Sequence, residues 1–203
     1  MCNAPRDAVR LYVYPAGAHP SDVCIQAAAK AYCAEAVRNY DAEAYRIART
    51  EKGKPYFAEV PDLHVSLSHS DSYCIVALAP CRVGVDLQSH QKFPNENDAD
   101  ALQRYLHLAQ RFFHPVENAY VQHQPQKRFF EVWTAKESYV KYTGVGLDDD
   151  FWTYSVIPVR EFDIGGWSAQ DTYFQMVPFT LGYSLCVCTQ RPLPWLFCVH
   201  ADA

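Results

Sequence analysis

No run of apolar residues in this 203-residue chain approaches the roughly 18 needed for a membrane-spanning helix. The opening segment MCNAPRDAVRLYVYP carries Asp7 and two arginines and has no long apolar core, so it does not read as a secretory signal. A basic excess is missing too. The formal net charge is −5, and non-specific binding to DNA or RNA needs a cationic surface. A local basic pocket for a smaller polyanion is not excluded by that balance. Metal-type cysteine spacing is also absent: the eight cysteines, at positions 2, 24, 33, 74, 81, 186, 188 and 198, form no CxxC pair and no zinc-type spacing with histidine. Cys74, Cys186 and Cys188 fall in apolar strand-like runs, where a free thiol behaves as a small hydrophobe. Reduced thiols are therefore expected rather than a disulfide framework, and with them a cytoplasmic protein with neither a nucleic acid nor a membrane as partner.

What is present suits a folded protein: 49% hydrophobic, 20% charged and 14% aromatic residues. Val9–Tyr14 reads as a strand, and an Ala-rich helix is expected over Ser21–Tyr40 with Ser21 as N-cap. After the turn sequence Lys52-Gly53-Lys54-Pro55, three strand-like runs follow, Leu63–Ser68, Tyr73–Ala79 and Val83–Gln88, which read as an antiparallel meander. Residues 89–100 are polar and contain Pro and Asn, as a connection between lobes would. Helices are expected over 100–113 and about 127–143, then strands at 151–158, 172–178 and 182–189. The order helix, then antiparallel strands, occurs twice. The expectation is an α+β protein of two similar lobes, residues 1–88 and 89–203, each a small antiparallel sheet packed with a long helix.

Four places carry chemistry. In WTAKESYVKYTGVGL (Trp133–Leu147), a helix brings Glu137 and Lys141 onto one face a single turn apart, with Lys136 beside them and a Gly144-x-Gly146 turn closing the segment. A solvated ion pair and a catalytic acid–base pair both fit that spacing. In VGVDLQ, Val83, Val85 and Leu87 point one way and Gly84, Asp86 and Gln88 the other. A carboxylate and an amide oxygen on one strand face suit a hard cation, with Gly84 leaving room for a bulky ligand; an edge strand with one solvated face fits equally. Ser68-His69-Ser70 reads as the turn between two apolar strands, able to hold a phosphate or to be an ordinary polar hairpin. Lys54, on a stiff Gly-Lys-Pro turn, is a cation suited to phosphate.

Taken together, these segments resemble one family. Gly84-Val-Asp86, Trp133-Thr-x-Lys136-Glu137-Ser-x-x-Lys141 and Gly144-x-Gly146-Leu147 are similar to the paired signatures of the 4′-phosphopantetheinyl transferases. Gly53-Lys54-Pro55, Ser68-His69-Ser70, and Arg111-Phe112-Phe113 with Glu117 match the same family in order and rough spacing. The likeness is to its larger, pseudo-dimeric group rather than to the short trimeric synthases.

The resemblance implies a monomer whose two lobes are related by pseudo-twofold symmetry, with the active site between them. It also implies Mg²⁺-dependent transfer of phosphopantetheine from coenzyme A to a serine of an apo acyl or peptidyl carrier protein, releasing adenosine 3′,5′-bisphosphate. By that likeness Asp86, Glu137 and Gln88 are metal ligands, and Glu137 takes the proton of the serine hydroxyl. Lys141 neutralises or protonates the leaving phosphate. Lys54, Ser68 and His69 bind the nucleotide phosphates, and Lys136 supports the pyrophosphate. The segment between the lobes, from Leu102 to Val121, helps receive the carrier, although Phe112 and Phe113 read as core.

Two departures bear on these roles. Gln88 stands where many relatives carry Glu, and a neutral amide is a weaker Mg²⁺ ligand. Residues 15–30 contain only Lys30 as a cation, which shifts the expected grip on coenzyme A toward Lys54, Arg46 and Arg49. A non-catalytic coenzyme A or nucleotide-binding module of the same fold is the alternative reading.

Overall fold

Strands whose apolar residues alternate on both faces must bury both, and here that requirement produces two sheets packed face to face with helices outside each. The structure, a computed structural model, describes residues 7–36, 39–90, 97–146, 149–158 and 165–199. In chain order the elements are β1 (Val9–Pro15), α1 (Ser21–Glu35), β2 (Ile47–Arg49), β3 (Pro55–Phe57), β4 (His64–Ser70), β5 (Tyr73–Ala79), β6 (Val83–Ser89), α2 (Asp98–Phe112), α3 (Pro115–Gln122), α4 (Pro125–Thr143), β7 (Trp167–Ala169), β8 (Thr172–Met176), β9 (Tyr183–Thr189) and β10 (Trp195–Val199). The first sheet runs β10-β1-β5-β4 and the second β6-β9-β8-β7, with β2–β3 a separate hairpin. All pairings are antiparallel except β1 with β10.

The period-two alternation sorts each strand's residues between cores. Val9, Leu11, Ile75 and Ala77 of the first sheet meet Val85, Leu87, Leu185 and Val187 of the second in a central core. On the far side of the first sheet, Tyr12, Cys74, Val76 and Leu78 pack on Cys24, Ile25, Ala28 and Ala29 of α1. On the far side of the second, Phe174, Cys186 and Cys188 pack with Val132, Ala135 and Val140 of α4, and α2 adds Ala101, Tyr105 and Ala109. Phe113 is buried in this last core and Phe112 packs against it. The seven described cysteines are free thiols, five of them buried. Among the described residues no helix is long and apolar enough to cross a membrane.

Several sequence expectations are corrected. The meander does not form: β4 and β5 pair, but β6 leaves them and pairs with β9. Its free edge meets three serines of β4 instead. The amides of Val85, Leu87 and Ser89 donate to the hydroxyls of Ser66, Ser68 and Ser70 at 3.0, 3.1 and 2.9 Å. Side-chain oxygens thus satisfy a strand edge that would otherwise be buried unpaired. Ser68, His69 and Ser70 consequently lie inside β4 rather than in a turn.

Pro20 rather than Ser21 occupies the N-cap of α1 and offers no side-chain bond, and the helix ends at Glu35. Residues 151–158 form no strand: a 3-10 turn over Asp149–Trp152 leads into irregular chain. There the Val156 amide donates to Glu117 Oε1 (2.7 Å) and its carbonyl accepts from Trp167 Nε1 (2.7 Å), so side chains take the place of a partner strand. Helix α3 starts on a capping box of His114 and Glu117 with Pro115 at its first position. The division at 88/89 does not follow the sheets, because β6 belongs to the second and β10 returns to the first. Of the residues expected to join the lobes, 91–96 lie outside the described residues.

Candidate active site

Helix α4 lies directly on β6, and Gly84 is the reason it can. A Cβ at Gly84 would stand 1.9 Å from the Ser138 carbonyl oxygen and 2.4 Å from the Tyr142 amide nitrogen. The glycine leaves room for a helix backbone rather than for a ligand. That close approach carries Lys141 to Asp86. Lys141 Nζ lies 2.6 Å from Asp86 Oδ1 and donates to Ser68 Oγ at 2.8 Å. Ser68 Oγ in turn donates to Asp86 Oδ1 at 2.8 Å, and Gln88 Nε2 donates to Asp86 Oδ2 at 3.1 Å. Asp86 is buried (2% side-chain exposure) whereas Lys141 keeps 29%. One carboxylate from the second sheet, one hydroxyl from the first and one amine from α4 thus meet at the seam between the sheets.

Glu137, one turn before Lys141, has no hydrogen bond or ion pair among the described residues. Burial, then the negative charge of Asp86, push its carboxyl up to about 7, and Lys141 only partly offsets them. Two interacting carboxylates that share the influence of one amine are short of positive charge.

The end of α4 is tied to the β2–β3 hairpin. Gly144, in the left-handed region at φ 78°, closes the helix through its amide to the Val140 carbonyl (2.8 Å). Lys54 reaches over it to the carbonyls of Lys141 (2.5 Å) and Tyr142 (2.8 Å), with Val83 O at 3.4 Å. A cation on the last carbonyls opposes the helix dipole. Burial, followed by Arg82, lowers this amine to about 8. A cleft of about 260 Å³ opens beside this junction, lined by Ser21, Arg49, Lys52, Lys54, Ser66 and Lys141 among others.

The residues singled out from sequence separate accordingly. Asp86, Ser68, Gln88 and Lys141 come together, with Glu137 electrostatically coupled to them. Lys136 does not join them. It is sealed on another face of α4, fully buried against Glu117 (2.9 Å) and bonded to the Tyr154 carbonyl (2.7 Å), so it does not reach a pyrophosphate in the cleft. Lys54 lines the cleft while its ammonium donates to the carbonyls that end α4. His69 is exposed on the β4 face opposite Ser66 and Ser68 and does not line the cleft. Arg46 is exposed outside it as well. Arg49 does line it but is bound to Asp22 and to the Gly53 carbonyl.

Sequence reasoning missed Lys52 in the cleft wall and the role of Ser66 and Ser70; the alternation Ser66-x-Ser68-x-Ser70 was the available signal.

Among the described residues no group of three or more His, Cys, Asp or Glu side chains is arranged to hold a metal. The donor set around Asp86 is instead two carboxylates and an amide, all oxygen donors. Such a set fits a hard cation that keeps several waters, as Mg²⁺ does.

Residues 82–198, more than half of the chain, match the family model described as the 4′-phosphopantetheinyl transferase superfamily. The chain is 31% identical over 159 residues to a 4′-phosphopantetheinyl transferase of Bacillus subtilis, covering 74% of this chain and 63% of that protein. It is 31% identical over 118 residues to the 4′-phosphopantetheinyl transferase gsp of Aneurinibacillus migulanus (56% of this chain, 41% of that one). A mouse protein named L-aminoadipate-semialdehyde dehydrogenase-phosphopantetheinyl transferase is 29% identical over 113 residues, 50% of this chain and 35% of its own. The chain thus spans less than two thirds of the length of these relatives. With the family model covering both β6 and α4, the chain belongs to the 4′-phosphopantetheinyl transferase superfamily.

Proposed function

We propose that this protein transfers 4′-phosphopantetheine from coenzyme A to a serine of an apo acyl or peptidyl carrier protein, releasing adenosine 3′,5′-bisphosphate. The observation that carries the reading is the meeting of Asp86 on β6 with Lys141 on α4, with the unpartnered Glu137 one turn away. Membership in the family supports the reaction class, and relatives bear that activity in their names.

In this reading Asp86 and Glu137 hold Mg²⁺, with the Gln88 carbonyl oxygen as a third candidate donor. When bound, the ion neutralises the coenzyme A diphosphate and polarises the attacked phosphorus. Ser68 and Gln88 hold the Asp86 carboxylate in one orientation. Glu137 takes the proton from the carrier serine hydroxyl, directly or through a water. The serine oxygen bonds to phosphorus as the bond from phosphorus to the bridging diphosphate oxygen breaks. Lys141 swings from Asp86 to the departing phosphate and meets its charge. Its partial exposure on the cleft wall leaves the ammonium free to make that move. The same reading makes the protein a cytoplasmic monomer of two similar lobes related by pseudo-twofold symmetry.

The test is the mass of an apo carrier protein incubated with coenzyme A, Mg²⁺ and the purified enzyme. A gain of one phosphopantetheine, lost with Asp86→Asn, is expected; an unchanged carrier mass with the wild-type enzyme overturns the proposal. Calorimetry showing coenzyme A binding indifferent to Mg²⁺ and to Glu137→Ala would support the non-catalytic module instead.

A further inference from the structure

Where β4 and β6 begin, a second cavity of about 260 Å³ is lined by Thr50, Lys54, Tyr56, His64, Arg82 and Thr143 among others. Lys54 and Gly144 line both this cavity and the cleft at Lys141, so they form the wall between the two. His64 and Arg82 line only the second. His64 keeps the alternation of Ser66 and Ser68 and so stands on the β4 face that meets β6, while Arg82 directly precedes β6.

Three basic side chains share this cavity, and among the described residues no carboxylate lines it. They are close enough to act on one another. Burial, then Lys54 and Arg82, hold the His64 imidazole below its usual range, with Asp62 opposing them, and Arg82 adds to the burial that lowers Lys54. Elsewhere in the fold a buried or half-buried cation has its own carboxylate: Arg10 has Glu35, Lys136 has Glu117 and Lys141 has Asp86. Here none is supplied. The Arg82 guanidinium lies over the Tyr142 ring, 5.7 Å from its centre, and neither it nor the His64 imidazole has an ion pair or hydrogen bond among the described residues. Like charges gathered in this way cost free energy unless an opposite charge offsets them.

We propose that this cavity is a second anion site, separate from the cleft at Lys141, in which Arg82 and His64 hold a phosphate dianion, free or as a monoester. The guanidinium offers a planar fork of N–H donors that matches two oxygens of one phosphate. The imidazole adds a third donor. Thr50 Oγ1 accepts from the Lys54 amide at 3.1 Å, which leaves its own proton to donate. Lys54 contributes charge rather than a bond, because its ammonium is committed to the carbonyls that end α4. The chain as a whole, at a net charge of −5, does not attract anions, so binding depends on this local field. Tyr56, 43% exposed on the cavity wall, presents a ring to the ester group of a monoester. The site is independent of the transfer reading.

The test is the melting temperature of the wild type, Arg82→Ala, His64→Ala and Lys52→Ala in tens of millimolar inorganic phosphate, against sodium chloride of equal ionic strength. The wild type should gain about 2–4 °C in phosphate. Lys52→Ala, altered only in the other cleft, should gain as much. Arg82→Ala should lose most of the gain and His64→Ala part of it. No gain in the wild type, or a gain kept in full by Arg82→Ala, overturns the site. A gain lost in Lys52→Ala but kept in Arg82→Ala also overturns it, by placing the anion in the cleft at Lys141. Phenyl phosphate separates the two sources once the gain depends on Arg82. A larger gain than with inorganic phosphate, lost in Tyr56→Ala, supports a monoester, and an equal gain supports free phosphate.

Discussion

Lys136 and Lys141 stand on the same helix, and each pairs with a buried carboxylate from another element, yet their surroundings differ. Lys136 and Glu117 are both wholly excluded from solvent. Every remaining valence is filled: Glu117 also accepts from the His114 amide (2.9 Å) and the Val156 amide (2.7 Å), while the Lys136 ammonium meets the Tyr154 carbonyl and faces the rings of Phe151 and Tyr154. Burial lowers the Lys136 amine, and Glu117 opposes that shift. Asp86 and Lys141 form a pair open on one side, with a second carboxylate, Glu137, left without a counter-charge. A closed pair of this kind joins α3, α4 and the segment before β7 into one body. An open pair has capacity left for a ligand. The contrast teaches that adjacency in a motif does not mean shared work: Lys136 and Glu137 are neighbours in sequence and belong to different centres.

The largest expected effect breaks the closed pair. Lys136→Met leaves Glu117 as an uncompensated buried charge and should lower stability by about 3–5 kcal/mol, read by urea or thermal denaturation. Gly84→Ala should cost somewhat less, about 1–3 kcal/mol, because the added carbon meets the α4 backbone and the helix must shift off β6. The same shift moves Lys141 from Asp86, so transfer should fall along with stability. Lys54→Met should cost on the order of 1 kcal/mol by leaving the last carbonyls of α4 uncapped, checked by the same denaturation curves.

The last effect is a slope, and it separates the two centres most cleanly. Glu137 titrates near 7 in the folded protein against 4.5 when unperturbed, so the native state binds more protons than the unfolded state between those values. Its contribution to stability is therefore lost as pH rises through that window. In EDTA, the melting temperature of the wild type should fall from pH 5 to pH 7.5 more steeply than that of Glu137→Gln.

Much of this was legible in the sequence. The alternation of VGVDLQ gave the correct faces of β6, and the run through Trp133 to Lys141 gave α4 with Glu137 and Lys141 on one side. The illegible parts depend on long-range meetings. Ser68 and Ser70 resemble a polar turn until a second strand edge is known to lie against them. Gly84 suggests ligand space until α4 is placed on it. Strand β10 pairs with β1 from the other end of the chain, a contact that no local pattern announces. Lys54 and Lys136 carry no mark in sequence that distinguishes a cation closing a helix or a core from one that faces a phosphate.

The most direct measurement is the rate of phosphopantetheine transfer by Glu137→Gln and by Lys136→Met, each per folded molecule at a temperature where both remain native. The account predicts a loss of a hundredfold or more for Glu137→Gln, about the upper part of what a positioned general base contributes, without loss of stability. It predicts a rate within a few fold of wild type for Lys136→Met, despite its lower melting temperature. Near-normal transfer by Glu137→Gln, or a collapse of the rate in folded Lys136→Met, would contradict it.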